Sequence, residues 1–128
     1  ENILNTGAVL IDCINKEYCK KILVMVSKQV HPEHYHIKKK ESFQILWGDL
    51  ELKKDSEILQ LYPGDIITID KMVKHSFSTK NGVVFEEIST TAYSNDSVYT
   101  DEKIRNNTDR KTSLNNRNTA LRDYWMIY

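Results

Sequence analysis

His34 and His36, two histidines separated by a single residue, are the side chains in this sequence best suited to chemistry. On a β-strand, residues i and i+2 point to the same face, so both imidazoles would project together. The carboxylate of Glu41 follows closely, and a third histidine, His75, lies downstream. Three neutral imidazoles and a carboxylate suit a divalent first-row metal ion such as Mn, Fe, Co, Ni or Zn. We therefore predict that these four residues are metal ligands.

The spacing around these residues resembles the first motif of the cupin family, G-x5-H-x-H-x(3,4)-E-x6-G. His34, His36, Glu41 and Gly48 fit that motif, and Lys28 stands where it has its leading glycine. A His-x-His pair alone is typical of an ordinary polar strand, and neighbouring lysines are typical of an exposed edge. The carboxylate and the glycine in register favour a metal site instead.

The second cupin motif, G-x5-P-x-G-x2-H-x3-N, is present in part. Gly64 and His75 fit it at the right separation, while Asp70, Met72 and Thr79 replace the proline, the second glycine and the asparagine. All four ligand positions are kept, so the departures concern the shape of the loops. The resemblance implies an all-β, cupin-type double-stranded β-helix (jelly-roll) barrel with the ligands in its lumen.

The hydrophobic pattern indicates the same fold class without the resemblance. Short β-prone runs recur about every 8–12 residues, separated by turn signals such as Pro63-Gly64-Asp65 and Asn81-Gly82. We expect this barrel to span residues 1–90. His31-Pro32-Glu33 is expected to interrupt the strand before His34.

Alternation along the next strand predicts which of its side chains line the lumen. Glu41, Phe43, Ile45 and Trp47 are two residues apart and are expected to share the inner face. That arrangement would place the carboxylate beside large apolar rings at the barrel wall.

Residues 91–128 are predicted to form a polar, irregular C-terminal extension rich in Asn, Asp, Ser and Thr. Its last residues, 121–128, are aromatic and apolar, so we expect them to pack on their own barrel or on a partner subunit. Cupins are commonly dimers, and the resemblance implies a homodimer here.

Composition limits the partners and the compartment. Eighteen basic and eighteen acidic residues cancel, which argues against nucleic acid or an anionic membrane as a partner. No apolar run approaches the roughly 20 residues that span a bilayer. Cys13 and Cys19 have no disulfide or CxxC pattern, and free thiols predict a cytoplasmic protein. The chain begins at Glu1, which suggests a trimmed protein or one domain of a longer one.

A metal held by three histidines and a glutamate keeps open positions that can take two substrate oxygens. A 2-hydroxy aldehyde or ketone could bind there, and aldose–ketose isomerisation then needs a group that moves a proton between adjacent carbons. Lys39 lies between His36 and Glu41, and Glu87 has the parity of Phe85 on a late strand. Both are candidates for acid/base catalysis, although Glu86 would replace Glu87 if the register slipped.

A narrower resemblance concerns the substrate. The string His34-x-His36-x-x-Lys39-x-Glu41, followed later by Glu87-Ile88-Ser89-Thr90, is similar to the D-lyxose isomerases and related small sugar-isomerase cupins. It implies manganese as the usual metal, Lys39 and Glu87 as the acid/base pair, and a sugar like D-lyxose or D-mannose as substrate.

Two other functions stay open from the sequence. The segment 85–91 with Asn95-Asp96-Ser97 also resembles cupin domains of surface-polysaccharide and sialic-acid synthesis, where the chain would be a non-catalytic sugar-binding module. A metal-dependent dioxygenase needs no lysine, and Phe43, Trp47 and Phe77 on the predicted inner faces are compatible with its apolar lumen.

Overall fold

The computed structural model describes residues 7–106 in full and residues 112–115 and 124–127 as backbone strands. The elements are β1 (Val9–Asn15), β2 (Tyr18–Met25), β3 (Val30–His36), β4 (Glu41–Gly48), β5 (Leu50–Lys54), β6 (Glu57–Leu61), β7 (Ile66–Ile69), β8 (His75–Ser78), β9 (Val83–Thr90), β10 (Ser97–Tyr99), α1 (Glu102–Arg105), β11 (Thr112–Asn115) and β12 (Tyr124–Ile127). The described part of the chain contains no helix with the length and hydropathy that a membrane crossing requires.

The strands form two antiparallel sheets with the hydrophobic core between them. One sheet has the order β11-β12-β1-β2-β9-β4-β7, and the other has the order β10-β3-β8-β5-β6. Strands distant in sequence are neighbours in both sheets, as in a jelly roll. The predicted all-β double-stranded β-helix is therefore confirmed.

Three phenylalanines form an aromatic layer next to the polar side chains of the lumen. Their rings are almost fully buried and meet edge to face, with centroids 5.1–5.8 Å apart. Each lies two residues from a buried polar residue on the same strand, and such side chains share a face. The pairs are Glu41 with Phe43, His75 with Phe77, and Glu87 with Phe85.

A β-bulge changes the outcome predicted for the end of β4. The pairing with β9 shifts between Ile45 and Trp47, which lie opposite the consecutive residues Phe85 and Val84. The extra residue reverses the alternation. Ile45 is buried as predicted, but the side chain of Trp47 is 61% exposed. The prediction that Trp47 lines the lumen is therefore wrong.

A second bulge lies at the start of β3. Its pairing with β8 shifts between His31 and His34, so three steps along β3 match two along β8. Both histidines consequently face the interior, although their spacing would place them on opposite faces of a regular strand. The interruption predicted at His31-Pro32-Glu33 is a bulge within the strand, and the chain turns earlier, at residues 26–29.

The two positions where the cupin motifs have glycine, but this chain does not, keep the backbone conformation of glycine. Lys28 and Met72 both have φ of +67°, in the left-handed region that L-residues rarely adopt. The Met72 N–H also donates to the His36 carbonyl at 2.7 Å, so this turn contacts the strand that carries His34 and His36. The loop geometry is thus kept at a cost in backbone strain.

Replacing Met72 by glycine is expected to stabilise the protein by about 0.5–1 kcal/mol, because relief of left-handed strain exceeds the added freedom of the unfolded chain. The Met72 side chain is exposed, so little burial is lost. Urea unfolding measures the change. Met72→Ala is the matched control, because it shortens the side chain and keeps the strain. A Met72→Gly variant no more stable than Met72→Ala would contradict this reading.

Residues after Thr90 contribute strands to both sheets. Strand β10 pairs with β3, which places Ser97 beside His36 and Tyr99 beside His34. Strand β12 pairs with β1 and β11 pairs with β12. The sheets therefore continue past the composition change at Thr90. The predicted packing of the aromatic side chains of residues 121–128 lies outside the described residues.

Candidate metal centre

Four buried side chains converge in the lumen. Strand β3 supplies His34 and His36, the first residue of β4 is Glu41, and the first residue of β8 is His75. One nitrogen or oxygen from each residue lies within 4.8 Å of the corresponding atoms of the other three. The structure thus brings together the four residues that the spacing predicts as ligands.

Backbone hydrogen bonds orient two of the imidazoles. The Nδ1 atom of His34 lies 2.9 Å from the Pro32 carbonyl, and that of His75 lies 2.9 Å from the Val73 carbonyl. A carbonyl oxygen can only accept, so in the neutral form of each ring Nδ1 carries the proton and Nε2 keeps its lone pair. Metal-binding histidines are usually oriented in this way.

The third imidazole is oriented by the neighbouring edge strand, β10. Nδ1 of His36 lies 3.1 Å from the Ser97 hydroxyl on β10. A hydroxyl can donate or accept, so this contact fixes the ring position rather than the tautomer. Burial is the main reason that the pKa values of His34 and His36 are lowered, which favours the neutral, metal-binding form.

The donor atoms fit a divalent cation. His75 Nε2 lies 3.0 Å from Glu41 Oε1, yet both atoms are buried and neither makes a hydrogen bond. With the proton on Nδ1, two electron pairs face each other, and a shared cation would resolve that conflict. Metal–ligand bonds of about 2.0–2.2 Å bring donors to within about 4.4 Å of one another, so the cluster would contract slightly around an ion.

Lys39 and Glu87 lie directly beside this cluster. The Lys39 ammonium is 2.9 Å from Glu41 Oε2 and 3.2 Å from Glu87 Oε2, and all three side chains are buried. The neighbouring Lys38 and Lys40 are exposed, so only the middle lysine of the run faces the lumen. The ammonium bridges two carboxylates, which is an arrangement suited to moving protons.

The charges of these groups depend on one another. Burial and the carboxylate of Glu41 raise the pKa of Glu87 to about 7. Burial alone would lower the pKa of Lys39, but the Glu87 and Glu41 carboxylates hold it above its usual range. Burial disfavours ionisation of Glu41, but Lys39 and the nearby imidazoles hold its pKa well below the usual range. The lysine is therefore charged at neutral pH.

The buried carboxylate of Asp96 fixes the loop that carries Lys39. It accepts hydrogen bonds from the backbone N–H groups of Ile37 at 3.1 Å, Lys38 at 2.7 Å and Lys39 at 3.0 Å. The Ile37 N–H also reaches the Asp96 carbonyl at 3.4 Å, but the N–H groups of Lys38 and Lys39 rely on this carboxylate. Asp96 thus positions the backbone from which Lys39 reaches the two carboxylates.

Replacing Asp96 by alanine is expected to destabilise the protein by about 2–4 kcal/mol, because three backbone donors lose a charged acceptor. Urea unfolding measures this loss. Asn95→Ala, at the exposed neighbouring position, should change stability by less than about 0.5 kcal/mol. Equal effects of the two substitutions would mean that the Asp96 contacts do not hold the loop.

Sequence reasoning missed several residues that line the same cavity. Lys21 is buried opposite Glu87, and the alternation of Cys19, Leu23 and Met25 along β2 could have placed it inward. His31 stacks on Phe77 with centroids 4.6 Å apart, and burial lowers its pKa to about 3. Tyr99 lies 5.2 Å from the His34 ring, and no local pattern indicates this long-range contact.

The cavity enclosed by these residues is small. Its volume is about 40 Å³, and its wall includes Lys21, Tyr99 and both members of the Lys39–Glu87 pair. Pockets for small molecules usually measure about 300–1,000 Å³. There is room for an ion and water, so a larger ligand requires lining side chains to rotate.

Comparisons with known proteins agree with this fold. No known protein-family profile matches the chain. A D-lyxose ketol-isomerase from Thermofilum sp. (strain ex4484_79) is 26% identical, over 76% of this chain and 69% of that protein. L-ribose isomerase of Cellulomonas parahominis, solved with L-ribose, superposes with a TM-score of 0.71 at 14% identity, over 77% of this chain and 72% of that one.

A third comparison is with the cupin domain of Schizosaccharomyces pombe Cnp3. It superposes with a TM-score of 0.61 at 15% identity, over 66% of this chain and 65% of that one. These superpositions show that the proteins share one fold. The chain has the cupin fold, and its barrel contains a His/Glu cluster that could hold a divalent metal ion.

Proposed function

We propose that this chain is a metal-dependent aldose–ketose isomerase that acts on a sugar resembling D-lyxose or D-mannose. The observation that carries the proposal is the buried Lys39 ammonium, 2.9 Å from Glu41 and 3.2 Å from Glu87, beside the cluster of histidines. The similarity to a D-lyxose ketol-isomerase and the fold shared with an L-ribose isomerase support it.

In this proposal the four converging residues, His34, His36, Glu41 and His75, would hold a divalent ion, with manganese favoured by the sequence resemblance. Such an ion, when bound, polarises a substrate carbonyl and makes the neighbouring C–H more acidic. Glu41 would contribute one oxygen to that site while its other oxygen faces Lys39.

Lys39 and Glu87 would then move the protons. The Glu87 carboxylate takes the proton from C2 of the aldose while the Lys39 ammonium gives one to the carbonyl oxygen at C1. The resulting enediol receives the first proton back from Glu87 at C1, and the neutral lysine takes the proton of the C2 hydroxyl. The products are the ketose and the original charges on both side chains.

A non-catalytic sugar-binding module is the second candidate, and the small cavity is the observation that favours it. About 40 Å³ holds no sugar without rearrangement, so a ligand at the rim could bind without reaching Glu87. A dioxygenase reading is less favoured, because it leaves the buried Lys39–Glu87 pair without a role.

The test is to load the protein with Mn²⁺ and incubate it with D-lyxose and with D-mannose in D₂O. Expected results are D-xylulose and D-fructose, respectively, and ¹H NMR would follow loss of aldose signals and any exchange with solvent deuterium. Sugar binding without ketose would favour the binding module. Oxygen consumption without ketose would favour oxygen chemistry.

A further inference from the structure

We propose that Lys21, in the wall of this cavity, and Asp12, its ion-pair partner on the neighbouring strand, form a second subsite that binds two uncharged hydroxyl groups at the end of the sugar remote from the metal-binding cluster. This inference rests on the proposed function, and it adds the residues that would bind the part of the sugar that does not react.

The register of the seven-stranded sheet places these residues in one row. Asp12 on β1 pairs with Lys21 on β2, and Lys21 pairs with Glu87 on β9. Leu10 and Leu23, two residues away on the same strands, are buried in the core, so Asp12 and Lys21 share the inward face. Neighbouring strands lie about 4.8 Å apart, which puts the pair about 5–10 Å beyond Glu87. That is the span of a short sugar chain whose first two carbons lie at Glu87.

The charged groups of Lys21 and Asp12 have few hydrogen-bond partners. The Lys21 ammonium lies 3.7 Å from Asp12 Oδ1, which is an ion pair too long for a hydrogen bond. Its side chain is 10% exposed, and among the described residues its ammonium donates no hydrogen bond. Asp12 Oδ1 is buried and also lacks a hydrogen-bond partner. Buried charges in native proteins normally have such partners, so the pair has unused capacity for a ligand.

The Lys21 ammonium and the Asp12 carboxylate together are better suited to bind a hydroxyl group than a phosphate. A hydroxyl can accept a hydrogen bond from the Lys21 ammonium and donate one to the Asp12 carboxylate, and two neighbouring hydroxyls can satisfy both groups. A phosphate has only acceptor oxygens at neutral pH, so it could satisfy Lys21 but would be repelled by Asp12. The uncharged end of a sugar is therefore the better ligand.

Lys21 is also suited to admit that ligand. It lines the cavity of about 40 Å³, and its long flexible side chain is held by a loose ion pair with Asp12 and by the more distant charge of Glu87. Rotation of its ammonium from Asp12 toward an entering sugar would enlarge the cavity and exchange a long ion pair for hydrogen bonds. Residues such as Phe43 and Phe77 are packed in the core and have no comparable freedom.

The experiment measures the binding of D-lyxose and of D-lyxose 5-phosphate to the Mn²⁺-loaded protein by calorimetry. The wild-type protein is expected to bind the free sugar at least about 10-fold more tightly than the phosphate. Lys21→Met should weaken binding of the free sugar by about 10–100-fold, the effect of losing one charged hydrogen bond. Asp12→Asn should weaken binding of the free sugar less than Lys21→Met does. It should also reduce the difference in affinity between the free sugar and the sugar phosphate.

Lys20→Met is the matched control, because Lys20 is the neighbouring residue on β2 and points to the opposite face. It should leave both affinities unchanged. Lys21→Arg keeps the charge and the donors, and is expected to retain more affinity than Lys21→Met. Metal content measured for each variant separates a damaged fold from a damaged subsite.

Several outcomes would overturn the subsite: binding of the phosphate as tight as that of the free sugar, equal affinities for Lys21→Met and Lys20→Met, or no binding of either sugar. Failure of the isomerase proposal looks different. It would appear as sugar binding that depends on Lys21 and Asp12 without any ketose formed, and the subsite would then stand.

Discussion

Replacing Glu87 by glutamine is expected to lower the rate of sugar interconversion by about 10²–10⁴-fold, the usual contribution of a general base. Glutamine keeps the shape of the side chain, and its amide oxygen can still accept a hydrogen bond from Lys39. It cannot take a proton from carbon. Glu87 is outside the four-residue cluster, so metal content should not change. Turnover and metal content are measured on the same preparation.

Glu86→Gln is the control for this substitution. Glu86 is the adjacent residue on β9, it points to the other face and it is partly exposed. The same loss of charge should there leave turnover within about 2-fold, because most surface substitutions have small effects. Unchanged turnover in Glu87→Gln would exclude Glu87 as the base.

Replacing Lys39 by methionine is expected to destabilise the metal-free protein by about 3–5 kcal/mol, the usual effect of breaking a buried ion pair from one side. The carboxylates of Glu41 and Glu87 would remain buried without the cation that lies between them. Urea unfolding of the metal-free variant and the metal-free wild type measures the difference.

The stability of this variant should fall more steeply between pH 6 and pH 8 than that of the wild type. Burial and the Glu41 carboxylate raise the pKa of Glu87 to about 7, and Lys39 opposes that rise. Without Lys39 the folded-state pKa would lie further above the value in the unfolded chain. Such a group loses its stabilising contribution as pH rises through the folded-state pKa. Lys39→Met should therefore be less stable at pH 8 than at pH 6.

The matched control is Lys40→Met. Lys40 forms an ion pair of 2.9 Å with Asp70, and both side chains are more than half exposed. Its loss should change the free energy of unfolding far less than the loss of Lys39, because solvent screens an exposed pair. A Lys39→Met variant as stable as Lys40→Met would contradict a buried bridge between Glu41 and Glu87.

The sequence predicts the His/Glu cluster well, because the patterns that place its four residues lie within single strands and turns. His34 and His36 share a face of one strand by simple alternation, and Glu41 is the first residue of the next strand. Turn signals fix where His75 begins β8. Parity along β9 likewise distinguishes the inward Glu87 from Glu86 once the strand is recognised. Their roles as metal ligands and as an acid/base pair stay predictions for the experiments above.

Bulges limit what alternation can predict. An extra residue in β4 turns Trp47 outward, and another in β3 brings His31 to the inner face beside His34. A bulge depends on how a strand pairs with its neighbour, so a pattern read along one strand does not contain it. The set of residues predicted to line the lumen therefore wrongly includes Trp47 and omits His31.

Residues contributed over a long sequence distance are the other omission. Asp96 holds the backbone of Lys39 from 57 positions away, and Tyr99 contacts His34 through the pairing of β10 with β3. Both lie in a polar segment whose composition indicates an extension outside the barrel. The three-residue strand β10 is too short to produce a recognisable hydrophobic pattern.

The most direct test of the account is the metal content of the protein after saturation with Mn²⁺ and removal of unbound ion, measured by elemental mass spectrometry. We expect about one ion per chain in the wild-type protein and a large loss in His75→Ala, which removes one of the four donors. An absence of bound metal in the wild type, or full retention in His75→Ala, would contradict a metal centre formed by His34, His36, Glu41 and His75.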